Sequence, residues 1–317
     1  MPNAPDDRRA RRAGTPASVA AFADAPEAVV ELPAGGWRRI WRQVARDRVA
    51  VAAAFVLALL VLAALLAPWL APYDPAKPLG VVSMKTLPPS GSHWFGTDAA
   101  SRDVFSRMLD GARVSMSVAA LSVLLAASIG TAVGSLAGYA GGAVEAVTMR
   151  AVDALLSIPR VLLLLAVLSL WGALSIRALI LLIGVTGWFA VARLVRAEVL
   201  AVREREFVTA ARGMGAGHGR ILVRHVLPQV LSPVFVAATL GVGQVIVLEA
   251  GLSFLGFGVQ PPRASWGSII RDGREVILSA WWITVFPGLA LVLTVLAVNV
   301  LADRLRTAMS PRQLPGS

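Results

Sequence analysis

Four stretches of this chain, residues 49–70, 114–139, 226–248 and 276–302, run for more than twenty residues without one charged side chain. Each matches or exceeds the roughly 20 residues a helix needs to cross about 30 Å of hydrocarbon. Inside lipid no water pairs with backbone N–H and C=O groups, so a spanning segment must close its own hydrogen bonds. The runs are apolar on every face rather than alternately, which selects helix over barrel strand. Composition agrees: 56% of residues are hydrophobic and 15% charged, whereas a soluble surface takes about a quarter charged. The expected fold is all-α and polytopic. Residues 49–70 read as a retained span, because the basic region before them and the run itself are too long for a leader and no small-residue cleavage site follows.

The middle of the chain is less regular. Across residues 161–192 the single charge is Arg177, which leaves apolar pieces of 16 and 15 residues. One span would be too long, so the stretch reads as a hairpin turning at residues 171–177. Its helices would extend back past Pro159 to Leu155 and forward past Arg193, with Arg160 and Arg193 snorkelling to the interface. Pro228 and Pro233 fit the opening turns of the next helix. Six spans result. Residues 1–36 are expected to be a disordered tail. In residues 37–48, Trp37, Ile40, Trp41 and Val44 fall at i, i+3, i+4 and i+7, which fits either an interfacial amphipathic helix or a solvated basic stretch. A first span over 49–71, an outer loop over 72–113, a five-helix core over 114–309 containing a loop at 193–228, and a tail over 310–317 complete the expected organisation.

Charge sets the expected orientation. Lys and Arg number 30 against 19 Asp and Glu, a formal +11. With six spans, 21 of the basic residues fall on the side of both termini and of loop 193–228, and 9 on the other. By the positive-inside rule the termini are cytoplasmic. The excess is thus a topology signal rather than a nucleic-acid footprint, and the lipid bilayer is the partner it implies.

Catalytic chemistry is missing from the pattern. There is no Cys, which excludes thiolate metal sites and cysteine nucleophiles. A phosphate loop would end in Gly-Lys-Ser/Thr, but Lys85-Thr86 is preceded by Met84, with Leu79 where the first glycine belongs. His93, His218 and His225 lack metalloprotease spacing, and no Gly-x-Ser-x-Gly elbow occurs. No enzyme activity, metal or cofactor is expected. Glu249, at the end of the fifth span, is the candidate intramembrane carboxylate. It reads either as an interfacial group bonded to backbone or a loop Arg, or as the proton site of an ion-coupled secondary carrier. Trp266, Trp281 and Trp282 are expected at the membrane interface.

Residues 193–224 form the one long loop on the basic side. Glu198, Glu204 and Glu206 alternate there with Arg193, Arg196, Arg203, Arg205 and Arg212, which favours helix with i,i+4 pairs. Thr209-Ala210-Ala211 then leads into glycines 213, 215, 217 and 219, a smooth helix end followed by a sharp turn. The segment is either a docking helix that passes motion to the spans or an ordinary connector. In the second span Gly130, Gly134 and Gly138 make a small-x3-small ladder for close helix approach, to a neighbouring span or to a partner chain.

Thr209-Ala210-Ala211-x3-Gly215-x9-His225-x-Leu227-Pro228 resembles the EAA loop of ABC importer permeases, with Thr209 where that family has Glu and His225 where it has Ile. Thr97-Asp98 and Arg102-Asp103, in the run from His93 to Arg107, resemble the Gly-Thr-Asp-x-x-Gly-Arg-Asp segment of the dipeptide/oligopeptide/nickel branch, with Ser101 in place of Gly. Ala71 to Pro75, Glu249 to Gly256 and Trp266-Gly267 are similar to further stretches of its second permease subunit, and the resemblance spans residues 37–312. It implies a type I importer permease. Such a chain forms half of a translocation path for peptides, a nickel chelate or glutathione, with a second, homologous permease as its partner. Two cytoplasmic ATPases would dock on Thr209, Ala210, Ala211, Gly215, His225, Leu227 and Pro228. An extracytoplasmic binding protein would deliver substrate, set most of the specificity, and meet Thr97, Asp98, Arg102 and Asp103 unless these only cap and brace the outer loop. The implied location is a bacterial inner membrane. The path itself is expected to be lined by generic Ala, Val, Leu, Ser and Gly.

Overall fold

The computed structural model describes residues 42–80, 82–172 and 174–309. Within them, helices α1 (Arg48–Leu65) and α2 (Ala67–Leu70) are followed by a loop with one 3-10 turn, then α3 (Val104–Ala140), α4 (Gly142–Leu156), α5 (Arg160–Trp171), α6 (Ile176–Arg203), α7 (Glu206–Gly213), α8 (His218–Ile221), α9 (Leu227–Phe254), α10 (Trp266–Gly273) and α11 (Trp282–Met309). Five helical stretches are long and apolar enough to cross a membrane (α1, α3, α6, α8–α9 and α11), and a sixth results if α4 and α5, bent by 75°, count as one span. The expected tails, 1–36 and 310–317, and the first part of the amphipathic stripe lie outside the described residues. Residues 42–46 are helical, and Val44 is buried with Val236, Leu305 and Met309, so this segment packs on the bundle.

Caps explain several boundaries. Asp47 accepts hydrogen bonds from the N–H groups of Val49 (2.8 Å) and Ala50, starting α1, and pairs at 3.2 Å with Arg304 near the end of α11. The start of α1 and the end of α11 therefore lie together. Asp103 caps α3 by accepting from Ser106 N–H at 2.8 Å, so this helix begins at residue 104 and not 114. Its first turns carry Arg107 and Asp110, which have partners elsewhere in the chain. At 37 residues α3 is about 55 Å long at ~1.5 Å per residue, well beyond the lipid core. The expected helix running back through Pro159 does not form. Pro159 begins α5, which at 12 residues is about 18 Å long. Proline cannot close an interior helix bond, and the chain bends there. The fifth span is longer than expected: α8, a π-helical turn over Leu222–Val226 and α9 run on continuously to Phe254. The last helix starts at Trp282, with residues 274–276 in a 3-10 turn.

The bundle closes around α3 and α6, its most extensively packed pair. Gly130, Gly134 and Gly138 face Val191, Val195 and Val199 one turn after another. A Cβ placed on Gly134 would collide with the Ala192 carbonyl oxygen and stand 2.8 Å from Val195 Cβ. The small-residue ladder thus packs within the chain, and close backbone approach is what it provides. Val114, Val118 and Val123 of α3 join Leu164 and Leu168 of α5, Ile183 of α6 and Ile246 of α9 in the main core cluster.

Gly134→Val would drive a branched side chain into that contact. Overpacking of this kind costs about 1–3 kcal/mol. Thermal unfolding of the purified protein is expected several degrees lower, while Gly219→Ala, at a helical position with open space around its Cβ, does not lower the midpoint.

Candidate functional site

At the end of the bundle where both α3 and α6 terminate, α6 passes into α7 through Glu204 and Arg205. Val208 and Ala211 on the inner face of α7 are buried in a small core with Val195, Val199, Val202, Ile221, Val226 and Val230. The opposite face shows Thr209, Ala210 and the half-exposed Phe207, and Met214 just beyond is 82% exposed. Gly215 turns the chain with φ +80°, a left-handed conformation that disfavours residues bearing a Cβ. His225 lies in the π turn with Nδ1 buried and unpaired among the described residues, and Leu227 and Pro228 open α9. The loop residues singled out from the sequence therefore form one helix–turn–helix clamped between two long helices. Longer-range ties fasten the segment: Arg196 binds Glu145 of α4 through Nε (2.7 Å) and Nη2, and Arg203 donates to the Gly138 carbonyl oxygen at 2.8 Å. Tyr139 meets His218 at 3.2 Å. The exposed residues of α7 include the small Thr209 and Ala210 beside the larger Glu206, Phe207 and Arg212.

At the opposite end, loop 71–103 folds over the start of α3. Asp98 is fully buried and accepts from Ala100 N–H (2.8 Å), Arg102 N–H (2.9 Å), Arg102 Nε (2.8 Å) and Arg107 Nη1. Both arginines also reach Asp272 of α10, at 3.2 and 2.9 Å. His93 Nδ1 lies 3.0 Å from Asp103 Oδ1, and Thr97 bridges the loop by accepting from Leu87 N–H and donating to the Met84 carbonyl oxygen. Of these residues it is Asp103, not Asp98, that caps α3. The four expected residues come together in a cluster that ties the first loop to the last. Only Asp272 and Arg102 keep partial exposure. Trp266 and Trp282 are buried, donating through Nε1 to the carbonyl oxygens of Met108 and Thr97 at 3.2 Å each. Both pack within this cap. Trp281 stays half exposed.

Glu249 is not an interfacial group bonded to a loop Arg. It is fully buried, accepting from Ser115 Oγ (2.9 Å) and Ser253 Oγ (2.6 Å), and Ser253 in turn accepts from Ser265 Oγ (3.1 Å) and Val259 N–H (3.0 Å). Ser115 also accepts from Trp266 N–H at 3.3 Å. These bonds join α3, α9 and α10 in one polar knot. Among the described residues no group of His, Asp and Glu is placed to hold a metal.

Cavities of appreciable size lie along the bundle. One of about 490 Å³ between α3 and α9 is lined by Ala127, Thr131, Ser135, Leu227 and Leu231, and one of about 620 Å³ near α1 by Leu57, Val61, Met116 and Phe235. Another, about 320 Å³, sits between α3, α6 and α9 and includes Arg160 and Gln244. Arg160 does not snorkel outward. It turns inward to donate to the Ile183 carbonyl oxygen at 2.6 Å and to Thr186 Oγ1 at 3.4 Å. Sequence reasoning missed it because position alone cannot say which way a long side chain at a helix break will turn.

With this geometry in place, comparison with known proteins identifies its setting. Residues 130–314 match the family of binding-protein-dependent transport system inner membrane components, and residues 36–89 match the N-terminal transmembrane domain of oligopeptide transport permease C. The chain belongs to this family. It is a permease component, a multi-pass inner membrane protein with the type I permease fold. Similar proteins include one described as a peptide permease in Brucella suis, 42% identical over 84% of this chain and 88% of that protein. The dipeptide transport system permease protein DppC of Bacillus subtilis is 38% identical (86% and 84% covered), and the glutathione transport system permease protein GsiD of Pectobacterium atrosepticum is 39% identical (87% and 91%).

Ser101, where the resemblance places glycine, adopts φ +60° and buries its Oγ without a partner among the described residues. A left-handed non-glycine residue costs roughly 1–2 kcal/mol and an unpaired buried hydroxyl about 1–3 kcal/mol; glycine's greater freedom in the unfolded chain offsets part of the gain. Ser101→Gly is expected to stabilise the cap by about 1 kcal/mol, read as a higher unfolding midpoint.

Proposed function

We propose that this permease forms one half of an ATP-driven import path for peptides, paired with a second homologous permease and powered by two cytoplasmic ATPases that grip α7. A separate extracytoplasmic binding protein delivers the substrate against the Asp98–Arg102–Arg107–Asp272 cap. The observation that carries this reading is α7 itself: an eight-residue helix that exposes Thr209 and Ala210, is rooted by the buried Val208 and Ala211, and lies in the chain between the long helices α6 and α9. A helix so held can turn closure of an ATPase pair into rigid-body movement of spans. The proximity of Asp47 and Arg304 and the excess of basic residues on the α7 side support cytoplasmic termini. Peptide as substrate rests on the relatives whose names include peptide, dipeptide and glutathione transport. The chain performs no catalysis in this scheme, consistent with a sequence lacking a phosphate loop.

Ala210 is exposed and mid-helix, so Ala210→Arg leaves the fold intact while filling the docking face. The purified permease pair carrying it is expected to retain its ATPases at least about tenfold more weakly and to lose ATP-dependent uptake. Undiminished ATPase capture would remove the docking role assigned to α7.

A further inference from the structure

The cavity holding Arg160 lies at mid-depth. Its lining residues on α3, Ser122 to Ala127, sit 8–13 residues into the charge-free run 114–139, roughly 12–20 Å from its end, where the hydrocarbon core is about 30 Å thick. A guanidinium at that depth is costly and, as a rule, faces a cavity or a partner carboxylate. Here no carboxylate pairs with it among the described residues. Guanidinium carries five N–H donors; one Nη2 hydrogen goes to Ile183 and Nε–H to Thr186. No other hydrogen bond of the group is found among the described residues, and Arg160 lines the cavity together with the exposed Gln244. Gly187 leaves the space the group occupies: a Cβ there would stand 3.0 Å from Arg160 Nη2. The other walls are Ala, Val, Leu and Gly with Ser122, whose hydroxyl is already engaged with the Ile180 carbonyl oxygen. The cavity thus offers one fixed positive charge, one free amide and otherwise apolar wall, and its volume lies at the small end of ligand sites, about 300–1,000 Å³.

We propose that Arg160 is the anion-recognising residue of the translocation path and takes the carboxylate of the passing substrate. This rests on the peptide-import reading. Every unmodified linear peptide ends in a carboxylate, which a guanidinium fork matches in plane and charge. In a low-dielectric passage the fixed charge draws that group inward and offsets the loss of its hydration. Gln244 is placed to donate to the same carboxylate or to a peptide carbonyl. With Arg160 in the wall, the permease itself sorts substrates by charge after the binding protein has released them.

The alternative, that Arg160 only braces α5 against α6 through Ile183 and Thr186, predicts the opposite ranking of two variants. R160K keeps the charge but cannot form both brace contacts; R160Q keeps an amide donor for Ile183 but has no charge. The test is ATP-dependent uptake of trialanine by the complete importer in proteoliposomes, with co-purification of all subunits as the measure of assembly. R160Q is expected to lower uptake at least about tenfold, the loss of one charge-assisted contact, in complexes that assemble normally, and R160K to retain most of it. Uptake by R160Q at the wild-type level, or loss with R160K while R160Q works, would overturn the assignment and leave the peptide-import reading standing. A wild-type importer that takes up no trialanine would overturn that reading and the assignment with it.

Discussion

The close approach of α3 and α6 is the contact on which the rest of the molecule depends. Between apolar helices in lipid there is little hydrophobic drive to associate, so packing and hydrogen bonds must supply it. Three glycines spaced one turn apart let the two backbones approach, with valines filling the opposite side. The pair reaches both ends of the bundle. At one end the first turns of α3 carry Arg107 into the buried cap; at the other the Gly138 carbonyl oxygen is held by Arg203, the last residue of α6 before α7. A push on α7 therefore acts on a rod that ends in the cap.

The polar groups follow a related economy. Buried ions are tolerated where each finds partners, and Asp98, Arg102, Arg107 and Asp272 do so by drawing together the first loop and the last. Glu249 and its serines make a second knot, fastening α10 to α3 and α9. These two knots stiffen the cap end. The opposite end is fastened by Arg196 to Glu145, Arg203 to the Gly138 carbonyl oxygen and Tyr139 to His218, and leaves Thr209 and Ala210 of α7 exposed. Arg160 departs from the pattern, a charged group at mid-depth whose donors are only partly used.

Much of this was legible beforehand. Charge-free runs marked the spans, and the Thr209–Pro228 spacing marked the helix–turn–helix between α6 and α9. What could not be read locally was tertiary. The start of α3 was hidden because Arg107 and Asp110 look like loop residues until Asp98, Asp272 and Arg263 neutralise them, and the last two lie more than 150 positions away. Trp266 and Trp282 resemble interfacial anchors by type and position, yet each finds a buried carbonyl. Pro159 breaks what its apolar neighbours suggest is a full-length span, and Arg160 turns inward directly after that break. Glu249 was noticed as a lone carboxylate, but its three serines come from separate parts of the chain.

The central claim is that this permease is moved from outside, through α7, and owns no energy source. The most direct measurement is uptake into proteoliposomes by the assembled importer, with ATP supply and proton gradient varied independently. The account predicts uptake that stops without ATP or without the ATPases and continues when a protonophore collapses the gradient. Uptake driven by a pH gradient in liposomes containing no ATPase would contradict it, and would make buried Glu249 the group to examine as a proton carrier.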